Sequence, residues 1–129
     1  MKAPAQGSML DHIALTVSDH ERSRRFYQNV LAALGYELVM EHDISGSGFG
    51  RDGKPDFWIQ PGNPSGPLHV AFSVADRATV DQFHSAAVEA GAQDNGAPGL
   101  RPEYHPTYYG AFVIDPDGNN VEAVCHRPE

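Results

Sequence analysis

The chain is 129 residues long, 40% apolar and 20% charged, an ordinary composition for one globular domain large enough to bury its own core. Seventeen acidic against nine basic side chains leave a net charge of −8, which excludes nucleic acid and anionic membrane as partners because both repel such a surface. No apolar run is long enough to span a bilayer, the opening MKAPAQGSM lacks the apolar centre of a secretion signal, and a single cysteine, Cys125, excludes an internal disulfide; together these predict a cytoplasmic protein.

Residues 1–8 read as a flexible tail. From Leu10 to Val17 the chain alternates, with Ile13, Leu15 and Val17 facing one way and His12, Ala14 and Thr16 the other, the pattern of a half-buried strand. Ser18 and Glu21 are spaced as a capping box, and Phe26, Tyr27, Val30, Leu31 and Leu34 follow at helical spacing up to Gly35. Tyr36 to Met40 reads as a strand, SGSGFGRDGK as a glycine-rich loop or bulged hairpin, and DFWIQ (56–60) as another strand, with PGNPSGP as the linker. Leu68 to Val74 then alternates in the same phase as the first strand. Asp76 opens a second helix that carries Val80, Phe83, His84 and Ala87 and stops at Gly91. The Pro/Gly-rich segment 95–107 reads mostly as loop. Tyr108 to His126 closes the chain as two strands joined by a turn at Asp115-Pro116-Asp117-Gly118.

LDHIALTVSD and PLHVAFSVAD match at a constant offset of 57 residues, which also relates Phe26 to Phe83. Such register indicates an internal duplication. The predicted fold is therefore α+β, a single domain over 9–126 made of two βαβββ modules, 9–62 and 67–126, whose curved sheets form a half-barrel around a cleft. The apolar strand faces cover the helices, and the opposite faces, lined by His, Ala, Thr and Ser, look into the cleft.

His12 and His69 occupy the same position in the two copies, both on the cleft face, and Glu122 sits on that face of the last strand. A carboxylate in mid-strand needs a partner, a metal or open water. Two imidazoles and one carboxylate are the donors of a facial triad, which binds a divalent metal ion such as iron, manganese, nickel, cobalt or zinc and keeps positions open for substrate. His12, His69 and Glu122 are the predicted metal ligands.

LDHIALTVSD…FY…VLAALGYE, LHVAFSV and FVIDPDGNNVEAV resemble the vicinal oxygen chelate superfamily, which includes glyoxalase I, extradiol dioxygenases, fosfomycin-modifying thiol transferases and bleomycin-binding proteins. The resemblance covers residues 9–126. It implies paired βαβββ modules, a divalent metal on the residues matching His12, His69 and Glu122, and a homodimer in which the two modules of a site can come from different chains. Glyoxalase I has a fourth ligand on the last strand of the first module. Aligning the turn Asp52-Gly53 with Asp117-Gly118 puts Phe57 at that position, and phenylalanine cannot ligate. The three-ligand pattern thus points to dioxygenase-like rather than true glyoxalase I chemistry on a small-molecule substrate. The alternatives are a metal-independent drug- or metabolite-sequestering protein of the bleomycin-resistance type and a fosfomycin-type thiol transferase.

The segment RPEYHPTYY before the last hairpin is dense in proton-carrying groups, and His105, Tyr108 and Tyr109 join Glu122 as candidate catalytic residues. In a regular strand Tyr108 and Tyr109 face opposite ways, so only one of them lines the cleft. His20 and His42 read as solvent-exposed, His84 as a helix-face residue, and Cys125 as a small buried hydrophobe.

Overall fold

A computed structural model describes residues 9–43 and 46–129, so the tail expected over 1–8 lies outside the described residues. Alternation makes the first strand, β1 (Ile13–Val17): Leu15 and Val17 are buried and Ala14 is exposed. Helix α1 (His20–Ala32) buries Phe26, Tyr27, Val30 and Leu31 on one stripe. Its N-cap is Asp19, which accepts from the Arg22 amide at 3.1 Å, and not Ser18 as the capping-box spacing suggests. Ser18 is engaged elsewhere, its amide donating to Asp117 of the second module at 3.2 Å.

Strands β2 (Glu37–His42), β3 (Gly46–Arg51) and β4 (Lys54–Pro61) complete the first sheet, in the order β1-β4-β3-β2. The SGSGFG stretch is thus partly an inner strand, flanked by β2 and β4 and buried from Gly46 to Gly50. Its glycines hide the alternation by which strands are read, yet they suit a ribbon crossed closely by neighbouring side chains.

The second module repeats the plan with β5 (His69–Ser73), α2 (Arg77–Glu89, capped by Asp76), β6 (Gln93–Leu100), β7 (Tyr109–Ile114) and β8 (Asn120–Cys125), in the order β5-β8-β7-β6. Residues 93–100 form a strand where the Pro/Gly content suggests loop. β6 is an edge strand whose register slips twice against β7, and Pro98 falls within the second slip, where no ladder bond is asked of it. The hairpin turn forms as expected, with Gly118 at φ 90° and its amide 3.0 Å from the Asp115 carbonyl.

The two open, curved sheets share one core. Phe57 of β4 meets Phe72 of β5 at 5.4 Å between ring centroids, and Tyr36 meets the same ring at 5.7 Å. Tyr27 of α1, fully buried, donates to the carboxylate of Asp115, which also accepts from the Asn119 side chain at 3.0 Å. β1 and β5, the strands that follow the two histidines or begin with them, each lie at an edge of their sheet. No helix among the described residues is long and apolar enough to cross a membrane.

Candidate functional site

Strand register lays the same row of positions across the open face of each sheet. In the first, Ala14 pairs with Trp58, Trp58 with Gly48, and Gly48 with Met40. In the second, Ala71 pairs with Glu122, Glu122 with Phe112, and Phe112 with Gly96. Ala14 and Ala71 are equivalent in the duplication, so the counterpart of Glu122 is Trp58. This corrects the expectation that Phe57 stands there: Phe57 is 1% exposed and belongs to the core. The two turns are not equivalent. β3 and β4 turn at Asp52-Gly53 and carry a bulge, with Gly50 opposite Pro55 and Phe49 opposite Phe57, whereas the β7–β8 turn is longer. Asp56, the unpaired residue of that bulge, accepts from the Tyr36 hydroxyl at 2.8 Å. Tryptophan ligates no better than phenylalanine, so the four-ligand pattern is still not met.

Glu122 is 1% exposed, and both its oxygens are engaged. His69 Nε2 lies 2.7 Å from Oε1, and the Tyr108 hydroxyl donates to Oε2. Gly110 makes room for this contact: a Cβ there would lie 3.1 Å from the Tyr108 ring and 3.4 Å from Oε2. Burial first, then the hydrogen bond to Glu122 and its charge, push the Tyr108 phenol well above its ordinary range. Tyr108 therefore keeps its proton and acts as a donor. The His69 side chain is about half exposed, at 53%, so the pair opens to solvent on the imidazole side.

His12 is placed apart from this pair. Its Nδ1 lies 2.7 Å from Asp11, which also holds Lys54 at 3.1 Å, and it lines a cavity of about 510 Å³ over the first sheet with Met40, His42, Trp58 and Gln60. Among the described residues, no three His, Cys, Asp or Glu side chains are grouped to hold a metal ion.

Tyr109 points away from Glu122, donating to Asp81 of α2 at 2.7 Å, so of the two tyrosines only Tyr108 reaches the carboxylate. His105 is exposed, its Nδ1 accepts from the Thr107 amide at 3.2 Å, and its ring meets His126 rather than Glu122. His126 packs edge-on against Tyr108 at 5.2 Å. His42 is exposed, as its reading expected, and lines the cavity beside His12 together with Trp58, which sequence reasoning missed. The alternation of DFWIQ, phased by Phe57 in the core, carries the signal for Trp58.

The family model of the glyoxalase/bleomycin resistance protein/dioxygenase superfamily matches residues 9–123. The chain belongs to that superfamily. A superfamily protein from Albidiferax ferrireducens T118 is similar in crystal structure at a TM-score of 0.79 and 26% identity, over 94% of this chain and 100% of that one. A family enzyme from Burkholderia phytofirmans PsJN shares the fold at a TM-score of 0.71 and 21% identity, over 93% and 100% of the two chains. A glyoxalase-related enzyme from Fulvimarina pelagi does so at 0.66 and 21%, over 91% and 87%. No curated protein matches the sequence.

Whether these residues suit the metal of the superfamily can be tested on their geometry. Nitrogen and oxygen donors sit about 2.0–2.2 Å from such an ion, so two neighbouring donors stand about 3 Å apart. His69 Nε2 and Glu122 Oε1, 2.7 Å apart, stand at a separation that two such donors can take. One chain thus brings an imidazole and a carboxylate, His69 and Glu122, together on the second sheet and leaves His12 with the other module.

Proposed function

We propose that this chain is a superfamily enzyme of glyoxalase or dioxygenase type acting on a small organic molecule, with a divalent metal held by His69 and Glu122 of one copy and His12 of a second. The reading rests on Glu122: a carboxylate buried to 1% exposure, held 2.7 Å from an imidazole that opens to solvent. Burying a carboxylate is costly unless its charge is used or matched. A homodimer is part of the proposal, supported by β1 and β5 lying at sheet edges with His12 just before one and His69 at the start of the other.

A bound divalent ion supplies Lewis-acid chemistry, polarising two neighbouring substrate oxygens and stabilising the charge that develops on them. Glu122 contributes the anionic oxygen and His69 the neutral nitrogen. Tyr108 fixes Oε2, which aims Oε1 at His69, and retains its own proton for donation. Trp58 at the fourth-ligand position favours dioxygenase-like over glyoxalase I chemistry.

Metal content and complementation test this together. Protein purified without chelator retains near-stoichiometric metal, and His69→Ala and His12→Ala each lose it while staying folded by circular dichroism. Mixing equal amounts of the two variants restores one site in each mixed dimer, roughly half of the pairs formed at random, because that site alone then has all three ligands. Uptake that survives His69→Ala overturns the ligand assignment. A wild-type chain that takes up none of the five metals is a binding protein of the sequestering kind.

A further inference from the structure

Deepening the proposed function, and resting on it in so far as His12 lines the same cavity, we infer that the open face of the first sheet is a stacking site for a planar aromatic or heteroaromatic ring, with Trp58 as its floor. The argument starts from what flanks Trp58 in its row. Its neighbours are Ala14 and Gly48, the two smallest side chains, so nothing stands up beside the indole. A Cβ on Gly48 would lie 2.8 Å from Cε2 and Cζ2 of the indole and 2.9 Å from Cη2. The six-membered ring therefore lies flat over the glycine, a pose no other residue at 48 permits without moving it. One face of the ring rests on backbone, and Trp58, half-buried, lines the cavity of about 510 Å³.

The surroundings extend that floor. His42 stands beside it at 6.1 Å between ring centroids, its plane tilted by 31° from the indole. Met40, 42% exposed, offers a polarisable thioether at the next strand. Gln60 lines the same cavity, its side-chain nitrogen 3.4 Å from the Thr16 hydroxyl, and supplies a hydrogen-bonding edge. Of the charged groups that line it, Asp11 pairs with Lys54 at 3.1 Å and also holds His12 at 2.7 Å, so the charges are matched among themselves and away from the indole row. A flat apolar floor and a rim of polar groups describe a pocket for a fused or substituted ring carrying one polar group.

Trp58 is the only tryptophan in the chain, so its indole N–H gives one resonance in an amide-correlation NMR spectrum. The probe is 2-naphthol, with decahydro-2-naphthol as the control of like skeleton and no π face. The expected result is a saturable shift of the indole signal with 2-naphthol, and binding of the saturated control weaker by about 3- to 10-fold, the worth of one aromatic contact. Trp58→Leu lowers the calorimetric affinity for 2-naphthol by a similar factor and leaves the control unchanged. Gly48→Ala, which tilts the indole, and His42→Ala, on an exposed side chain, weaken 2-naphthol binding in the same direction and serve if Trp58→Leu does not fold. An unmoved indole signal, equal affinity for the two probes, or undiminished binding by every variant overturns the assignment. A signal that moves on dilution alone, and not with 2-naphthol, places a second copy on the ring and overturns it as well.

Discussion

The open faces of the two sheets carry matching rows, Ala14-Trp58-Gly48-Met40 and Ala71-Glu122-Phe112-Gly96, and yet they present opposite chemistry. The second sheet buries a carboxylate, matched by His69 and Tyr108. The first half-buries an indole that nothing charged touches in its row. Each row also places a glycine beside its aromatic: a Cβ on Gly96 would stand 2.9 Å from the Phe112 ring, as one on Gly48 would from Trp58. Duplication has kept the places where side chains meet and divided their chemistry, one copy burying a carboxylate and the other half-burying an indole.

The sharpest way to break that comparison is to move the core by one residue. Phe57, 1% exposed, packs on Tyr27 at 4.9 Å and on Phe72 at 5.4 Å, whereas Trp58 lines a cavity. Phe57→Ala is expected to destabilise the chain by about 3–5 kcal/mol in urea unfolding. Trp58→Leu is expected to cost roughly 1 kcal/mol or less. Equal losses at the two positions would mean that Trp58 is core as well, and the rows would no longer correspond.

The next effect tests the carboxylate side. Tyr108→Phe removes the donor that fixes Glu122 Oε2, and under the proposed function it weakens metal affinity about 10- to 100-fold, the usual worth of a group that orients a ligand. Competition against a chromogenic chelator measures it. His105→Ala leaves affinity unchanged, because His105 bonds to Thr107 and touches neither ligand. A loss at His105 as large as at Tyr108 would sink the division of roles between them.

How much of this was legible depended on whether side chains or backbone carried the message. β1, β5 and both helices were readable because Leu15, Val17, Phe26, Val30, Val80 and Phe83 are apolar at the period of their elements. β3 and β6 were not, since their glycines and Pro98 erase the alternation, and only pairing with neighbours makes them strands. The His69–Glu122 contact followed from the position of each on the cleft face of its strand. The place of Trp58 did not, because the two hairpin turns differ in length and one carries a bulge at Asp56. Parity set Tyr108 against Tyr109 but could not choose between them. The pairing of Tyr109 with Cys125, on the core face of β8, makes the choice. The distance of His12 from the other two donors depends on how the modules dock, which no local pattern records.

The two β-hairpin turns extend the comparison to the ends of the strands. The turn at Asp52-Gly53 is exposed, with nothing near where a Gly53 side chain would be. The turn from Asp115 to Asn119 is clasped by the first module through Tyr27, whose phenol donates to buried Asp115. Burial, and then the charge of Asp115, raise the Tyr27 phenol well above its ordinary value of 10.0. Below that pH the folded and unfolded chains both hold the proton, and the stabilisation is complete. Above it the unfolded chain releases the proton and the folded chain does not, so stability falls with rising pH until the folded phenol itself ionises. Tyr27→Phe is expected to cost about 1.5–3 kcal/mol at neutral pH, the worth of one buried hydrogen bond to a charged acceptor, and to flatten the alkaline decline. The slope that remains belongs to Tyr36, whose phenol is pushed up to about 12 by burial and Asp56, to Tyr108, and to Tyr109, which its hydrogen bond to Asp81 raises. Asp52→Gly in the exposed turn shifts stability by no more than about 0.5 kcal/mol. Urea melts at stepped pH read both variants, and an unchanged alkaline slope in Tyr27→Phe would mean that the clasp does not hold its proton against the unfolded chain.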